Sequence, residues 1–248
     1  FISVQPAYAL KAVKGDITTN TTWSEDIILT GAVFVRAPAT LTIQPGVTVW
    51  GTEGILACVV VERGAKINAV GTEDKPIVFT SAADNPGRGD WGGLILNGYA
   101  TINVTGGIKE GEGETGVFGC EGSDCNDADN SGTLKYVRVE YAGDQITPDD
   151  EFNGIAFQGV GSGTTVEYLQ SHSAQDDAIE FFGGTVNAKY VIATDADDDF
   201  YDWTDGWRGK VQFILVKCGE TGGDNGIEAD NWGTDHNALP RSNPTIYN

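Results

Sequence analysis

Short apolar runs, each cut by glycine, proline, asparagine or aspartate, dominate the first hundred residues. Ile27-Ile-Leu29, Ala32-Val-Phe-Val35, Thr40-Leu-Thr-Ile43, Val47-Thr-Val-Trp50, Cys58-Val-Val-Val61, Pro76-Ile-Val-Phe-Thr80 and Gly93-Leu-Ile-Leu96 are rich in β-branched side chains. Such runs between turn formers read as strands. No window carries apolar residues at i, i+3, i+4 and i+7 over three turns, so the pattern predicts an all-β chain.

The second half repeats. Ile155, Ile179, Tyr201 and Ile227 occupy equivalent positions, with steps of 24, 22 and 26 residues. Tyr168, Tyr190 and Phe213 form a second column, with steps of 22 and 23, and Tyr136 belongs to an earlier copy of it. A unit of 22 to 26 residues with two or three short strands is one coil of a parallel β-helix. One coil cannot bury its apolar side alone, but stacked coils share a core. The leucine-and-asparagine signature of leucine-rich repeats is missing. One domain over 1–248 is expected, with a cap region at 1–35, a loop insert at 106–132 and an incomplete last coil. Thr245-Ile-Tyr247 matches Thr133-Leu-Lys-Tyr136 and opens that coil. An uncovered coil end is a pairing template, so a partner, further residues or another copy is expected there, and repeated stacking would build a filament.

Six segments follow in order: Ala39-Thr-Leu-Thr-Ile-Gln-Pro-Gly46, Arg88-Gly-Asp-Trp-Gly-Gly-Leu-Ile-Leu-Asn97, Gly154-Ile-Ala-Phe-Gln-Gly-Val-Gly161, Glu180-Phe-Phe-Gly-Gly-Thr-Val-Asn187, Asp202-Trp-Thr-Asp-Gly-Trp-Arg-Gly209 and Pro240-Arg-Ser-Asn-Pro-Thr-Ile-Tyr-Asn248. On these the chain resembles a family of secreted or surface-attached bacterial proteins of right-handed parallel β-helix (β-solenoid) fold. The resemblance implies an extracellular or cell-surface location and supplies no catalytic residues.

Net charge is −21, from 15 basic and 36 acidic residues. That excludes nucleic acid as a partner and argues against an anionic membrane surface. It suits divalent cations, carbohydrate or a cationic surface. No stretch of 18 apolar residues exists, so no transmembrane helix is predicted. The segment from Phe1 to Leu10, with Ala7-Tyr8-Ala9, reads either as the tail of a signal peptide or as an ordered N-terminal segment. Of the four cysteines, Cys120 and Cys125 share a polar loop and are expected to form a disulfide, which fits an oxidising compartment. Cys58 and Cys218 are expected as buried thiols.

Four constellations could carry chemistry. Period-two alternation points Ala156, Glu180, Asp202 and Glu228 outward in one column, with Asp230 in the next. Carboxylates about 5 Å apart on successive coils repel unless a cation, a shared proton or a ligand relieves them. The turns before these strands stack further acids: Asp149-Asp150-Glu151, Asp176-Asp177, Asp197-Asp198-Asp199 and Asp224-Asn225. Calcium takes oxygen ligands of this kind, and Asp176, Asp177, Asp198 and Asp199 are candidates. Asp124, Asn126, Asp127 and Asp129 resemble part of a calcium loop, though the helix-flanked pattern is absent. Trp207 and Trp232 lie in turn-like segments and are expected to be partly exposed beside the ladder, where a sugar ring could stack. Trp203 is expected in the core. These features predict an extracellular structural or binding protein (adhesin, envelope component or filament subunit) that is stabilised by calcium and takes a glycan or surface polymer. The alternative is a calcium-dependent polysaccharide lyase or glycoside hydrolase, with the cation on Glu180, Asp202 and Glu228 and with Arg208 or Lys210 as base.

Overall fold

The structure is a computed structural model that describes residues 10–147 and 150–248. Phe1 to Ala9, and with them the signal-peptide reading, lie outside the described residues. The chain winds as a right-handed parallel β-helix with three strand faces per coil. Face A stacks Cys58–Val61, Gly93–Asn97, Ile155–Gln158, Ile179–Phe182 and Asp202–Thr204. Face B stacks Thr21–Trp23, Thr40–Ile43 and Lys66–Val70, then the first halves of four long strands, and ends on Thr245–Tyr247. The long strands are Gly132–Glu140, Thr165–His172, Asn187–Thr194 and Lys210–Lys217. Their second halves continue face C, which begins with residues 11–13 and 27–29 and runs through Thr48–Gly51 and Ile77–Ser81. The expected cap region is already coil, since Lys11–Ile17 pairs in parallel with Ile27–Val35.

Alternation sets the core. Ile155, Phe157, Ile179, Phe181 and Tyr201 point inward and are buried. Phe181 stacks on Phe157 at 5.3 Å and on Trp207 at 4.1 Å, so aromatic rings continue from coil to coil. The repeat columns have the register that the sequence spacing predicts: Ile155 pairs with Ile179, and Glu180 with Asp202. Glu228 N–H donates to the Tyr201 carbonyl at 2.9 Å and Asp230 N–H to that of Trp203, which extends face A by one more coil.

The second column sits at the corner between faces B and C. Tyr136, Tyr168, Tyr190 and Phe213 adopt φ of 51° to 60°, a left-handed conformation uncommon for bulky side chains. It bends each long strand without breaking it. The rings stack 4.4, 4.6 and 5.0 Å apart, nearly parallel, in a ridge along the outside of the helix. Each such pair contributes about 0.5–1.5 kcal/mol beyond its buried area, enough to offset much of the backbone cost.

A second layer roofs face A. The chain leaves the coil after Asn97 and rejoins at Gly132. The return is tight: at Gly132 φ is +117° and a Cβ would lie 1.9 Å from the Ile67 carbonyl oxygen, so only glycine fits. Ile102, Val104 and Phe118 of this excursion pack on Val60, Ile95, Ala156 and Phe182, outward residues of face A. Cys120–Cys125 is a disulfide within the excursion, as expected. Lys109 Nζ meets the buried Asp205 carboxylate at 2.8 Å, and Arg208 meets Asp127 at 3.2 Å; both tie the excursion to the coils. Of the other two cysteines, Cys58 is buried and its thiol is pushed up to about 12 by desolvation. Cys218, expected to be buried, is exposed, because it follows the last strand of face C into an open loop.

Candidate functional site

The acidic column forms in the predicted register, but it is not a solvated face. Glu180 and Asp202 are each 8 % exposed, and Glu112 of the excursion faces Glu180. Only the lowest members, Glu228 and Asp230, reach solvent. The corner acids stack one coil apart: Asp199 N–H donates to Asp177 Oδ1 at 3.0 Å, and the Asn225 N–H donates to Asp199 Oδ1. Among the described residues three carboxylate groups result, and within each the oxygens lie within 4.8 Å of one another. They are Asp177 with Glu180 and Asp202, Asp176 with Asp177 and Asp198, and Asp198 with Asp199 and Asp224. The first is wholly buried.

Asp149-Asp150-Glu151 does not supply the next step of this corner. Asp149 and the Asp150 side chain lie outside the described part, and Glu151 belongs to a small hairpin with Gln145–Thr147. The in-register residue is Asn153, two before Ile155 as Asp177 is two before Ile179. Its Nδ2 donates to Glu180 Oε2 at 2.7 Å and to Glu112 Oε2 of the excursion at 3.3 Å. Asn153 Oδ1 and Asp202 Oδ1 are buried without a hydrogen-bond partner. Buried acceptors of this kind cost about 1–3 kcal/mol each unless a donor or cation reaches them.

Electrostatics follow from this crowding. Burial, and then the Asp176 and Asp202 charges, push Asp177 up to about 10. Burial, then Glu151 and Asp198, push Asp176 up to about 7. Glu180 is raised well above the carboxylate range, first by burial and then by Glu112, Asp177 and Asp202. Asp202 is raised by burial, opposed by a hydrogen bond from Glu180 that favours its ionised form. The two directions fit a hydrogen bond in which the Glu180 carboxyl donates and the Asp202 carboxylate accepts. Glu228 is also raised, by desolvation and by facing Asp199.

Other candidates fall elsewhere. Asp127 and Asp129 brace the excursion on itself: they accept from Thr101 N–H at 2.9 Å and Tyr99 N–H at 3.0 Å. Asn126 Oδ1 accepts from Ala128 N–H. Neither these nor Asp124 enter any of the three carboxylate groups. Trp207, expected to be partly exposed, is fully buried, because its ring turns inward onto Phe181 and its Nε1 donates to the Val186 carbonyl. Trp203 is buried as expected, and Trp232 is half-buried against the second apolar layer. The two basic residues are not brought to the ladder. Arg208 engages Asp127 and the Thr101 carbonyl, and Lys210 stands on face B. Asn153 and Glu112 are additions to the site. Asn153 was readable from its spacing before Ile155, whereas nothing in the sequence places Glu112 over face A.

No curated protein and no solved structure matches the chain significantly. The model of the pectate-lyase like beta helix domain matches residues 15–248, nearly the whole coil stack. The chain belongs to this pectate-lyase-like β-helix family.

Proposed function

We propose that this chain is an extracellular or cell-surface β-helix with a structural or binding role, stabilised by a divalent cation, calcium, on its acidic column. The observation that carries the reading is the buried trio Asp177, Glu180 and Asp202, whose carboxylate oxygens lie within 4.8 Å of one another. Three buried carboxylates repel strongly when all are ionised, and Asp202 keeps an oxygen with no partner. Calcium suits them, because it binds carboxylate and amide oxygens in flexible geometry, and Asn153 offers an amide oxygen nearby. The disulfide fits an oxidising compartment. A glycan or surface polymer is the proposed partner of the exposed end of the column, where Glu228, Asp230 and Trp232 lie. The family match and the acidic column do not favour a lyase or hydrolase over this reading, and Arg208 and Lys210 stand apart from the ladder.

The test is thermal melting with chelator and with added calcium. Binding to the native state contributes about 2.7 kcal/mol at a hundredfold excess over Kd, which for a chain of this size is a rise of roughly 5–10 °C. An identical melt in chelator and in calcium at low ionic strength would refute calcium stabilisation.

A further inference from the structure

On a chain of net charge −21, one face carries the opposite sign. Across the strands of face B the outward side chains include Lys66, Lys135, Lys189 and Lys210, with Glu167 the one acid among the described residues. Glu167 is paired with Lys135 at 3.0 Å. Lys189 is held over the Tyr190 and Phe213 rings, 5.0 and 5.6 Å from their centroids. Among the described residues nothing roofs this sheet: Lys66, Thr165 and Lys210 are exposed, and the remaining outward strand residues are at least partly so. Its border is the aromatic ridge, where Tyr168, Tyr190 and Phe213 are 36–41 % exposed. Just beyond the ridge Ile192 and Leu215 are 37 and 55 % exposed. A flat basic sheet thus runs beside an uncovered apolar edge.

We propose that face B and its aromatic border dock on an anionic lipid surface. Lysines alone would fit any polyanion, but a soluble polyanion leaves Phe213, Leu215 and Ile192 in water. An uncharged apolar partner leaves the lysines without counter-charge. An anionic bilayer offers both in one plane, headgroup charge for the ammoniums and an apolar boundary for the ridge. Tyrosine suits this level, because its ring is apolar and its hydroxyl is wet. Seven of the acids sit on the roofed column of face A and at its corner, away from face B, and Glu73 is the acid that lines the ridge beside Tyr136. Charges more than about 8 Å away are largely screened at physiological salt, so the sign of the face outweighs that of the whole.

Flotation of the full chain with vesicles tests this in calcium-free buffer, which removes cation bridging. Vesicles of phosphatidylglycerol and phosphatidylcholine should carry the protein at low salt, and phosphatidylcholine alone should not. The double variant Lys189→Glu, Lys210→Glu should lose about tenfold or more of the partitioning. Leu215→Asn should lose a smaller, several-fold share and still melt like the parent. Three results would overturn the proposal: no flotation with anionic vesicles, flotation unchanged in the double variant, or lysine-dependent binding to dextran sulfate without binding to vesicles.

Discussion

Faces A and B are built alike, from strands of three to five residues whose alternate side chains point into one shared core. Their outer surfaces differ in almost every respect. The outer side of face A carries Glu180, Asp202, Glu228 and Asp230 with Val60, Ile95 and Phe182, and the 98–131 excursion lies over most of it. The outer side of face B carries lysine, threonine and asparagine with Glu167, and among the described residues nothing covers it. The coil pattern fixes which residues point outward, but a separate stretch of chain decides whether outward means solvent. On face A outward came to mean a second core with carboxylates trapped at its edge.

The largest contrast is between two aromatic stacks. Trp207→Ala empties a buried site against Phe181 and Trp203 and should cost about 3–5 kcal/mol. Phe213→Ala removes a ring from the exposed ridge and should cost about 1 kcal/mol, mostly one stacking contact. Chemical denaturation of both variants measures the gap. Equal losses would mean that the ridge is as integral as the core.

A second contrast is in pH. Asp176 and Asp177 hold their protons to about 7 and about 10, far above the unfolded carboxylate range. The folded state then binds more protons than the unfolded one between roughly pH 4 and those values, so stability falls as pH rises through that window. In chelator the melting temperature should therefore drop from pH 5 to pH 8. Saturating calcium should flatten that drop by taking the place of the protons. A chelated protein that gains stability over this range would contradict the arrangement of face A.

The excursion supplies a smaller effect. Cys120 and Cys125 close a short loop, so replacing both by serine should cost about 2 kcal/mol or less, seen as a modest lowering of the denaturation midpoint. Hydrogen exchange should quicken in the excursion and leave face B unchanged.

Much of this fold was legible in the sequence. Ile155, Ile179 and Tyr201 gave the coil length and the register, and Tyr136, Tyr168, Tyr190 and Phe213 gave a second column, which the structure places at a corner. In the first half the equivalents Val33, Val59, Leu94 and Ile155 are 26, 35 and 61 residues apart, so the long excursions hid the period there. The site was half legible. Alternation aligned Glu180 with Asp202, but it carries no information on what lies above them, so the column was expected in solvent. Trp207 was misplaced for a related reason: a turn-like sequence says nothing about where a ring points once the backbone has turned. A sum over 36 acids likewise carries no information on where the basic side chains stand, and Lys66, Lys135, Lys189 and Lys210 share face B.

The amide variants Glu180→Gln and Asp202→Asn keep shape; Glu180 is already raised well above the carboxylate range, so in chelator Glu180→Gln should melt close to the parent, while Asp202→Asn should melt at or slightly above it. The most direct measurement is calorimetric titration of calcium into chelator-stripped protein at pH 8, with the parent and these two variants side by side. The account predicts saturable binding to the parent, with affinity lowered at least about tenfold in each variant, the loss of one charged ligand. No saturable heat with the parent, or equal affinity in all three proteins, would contradict it.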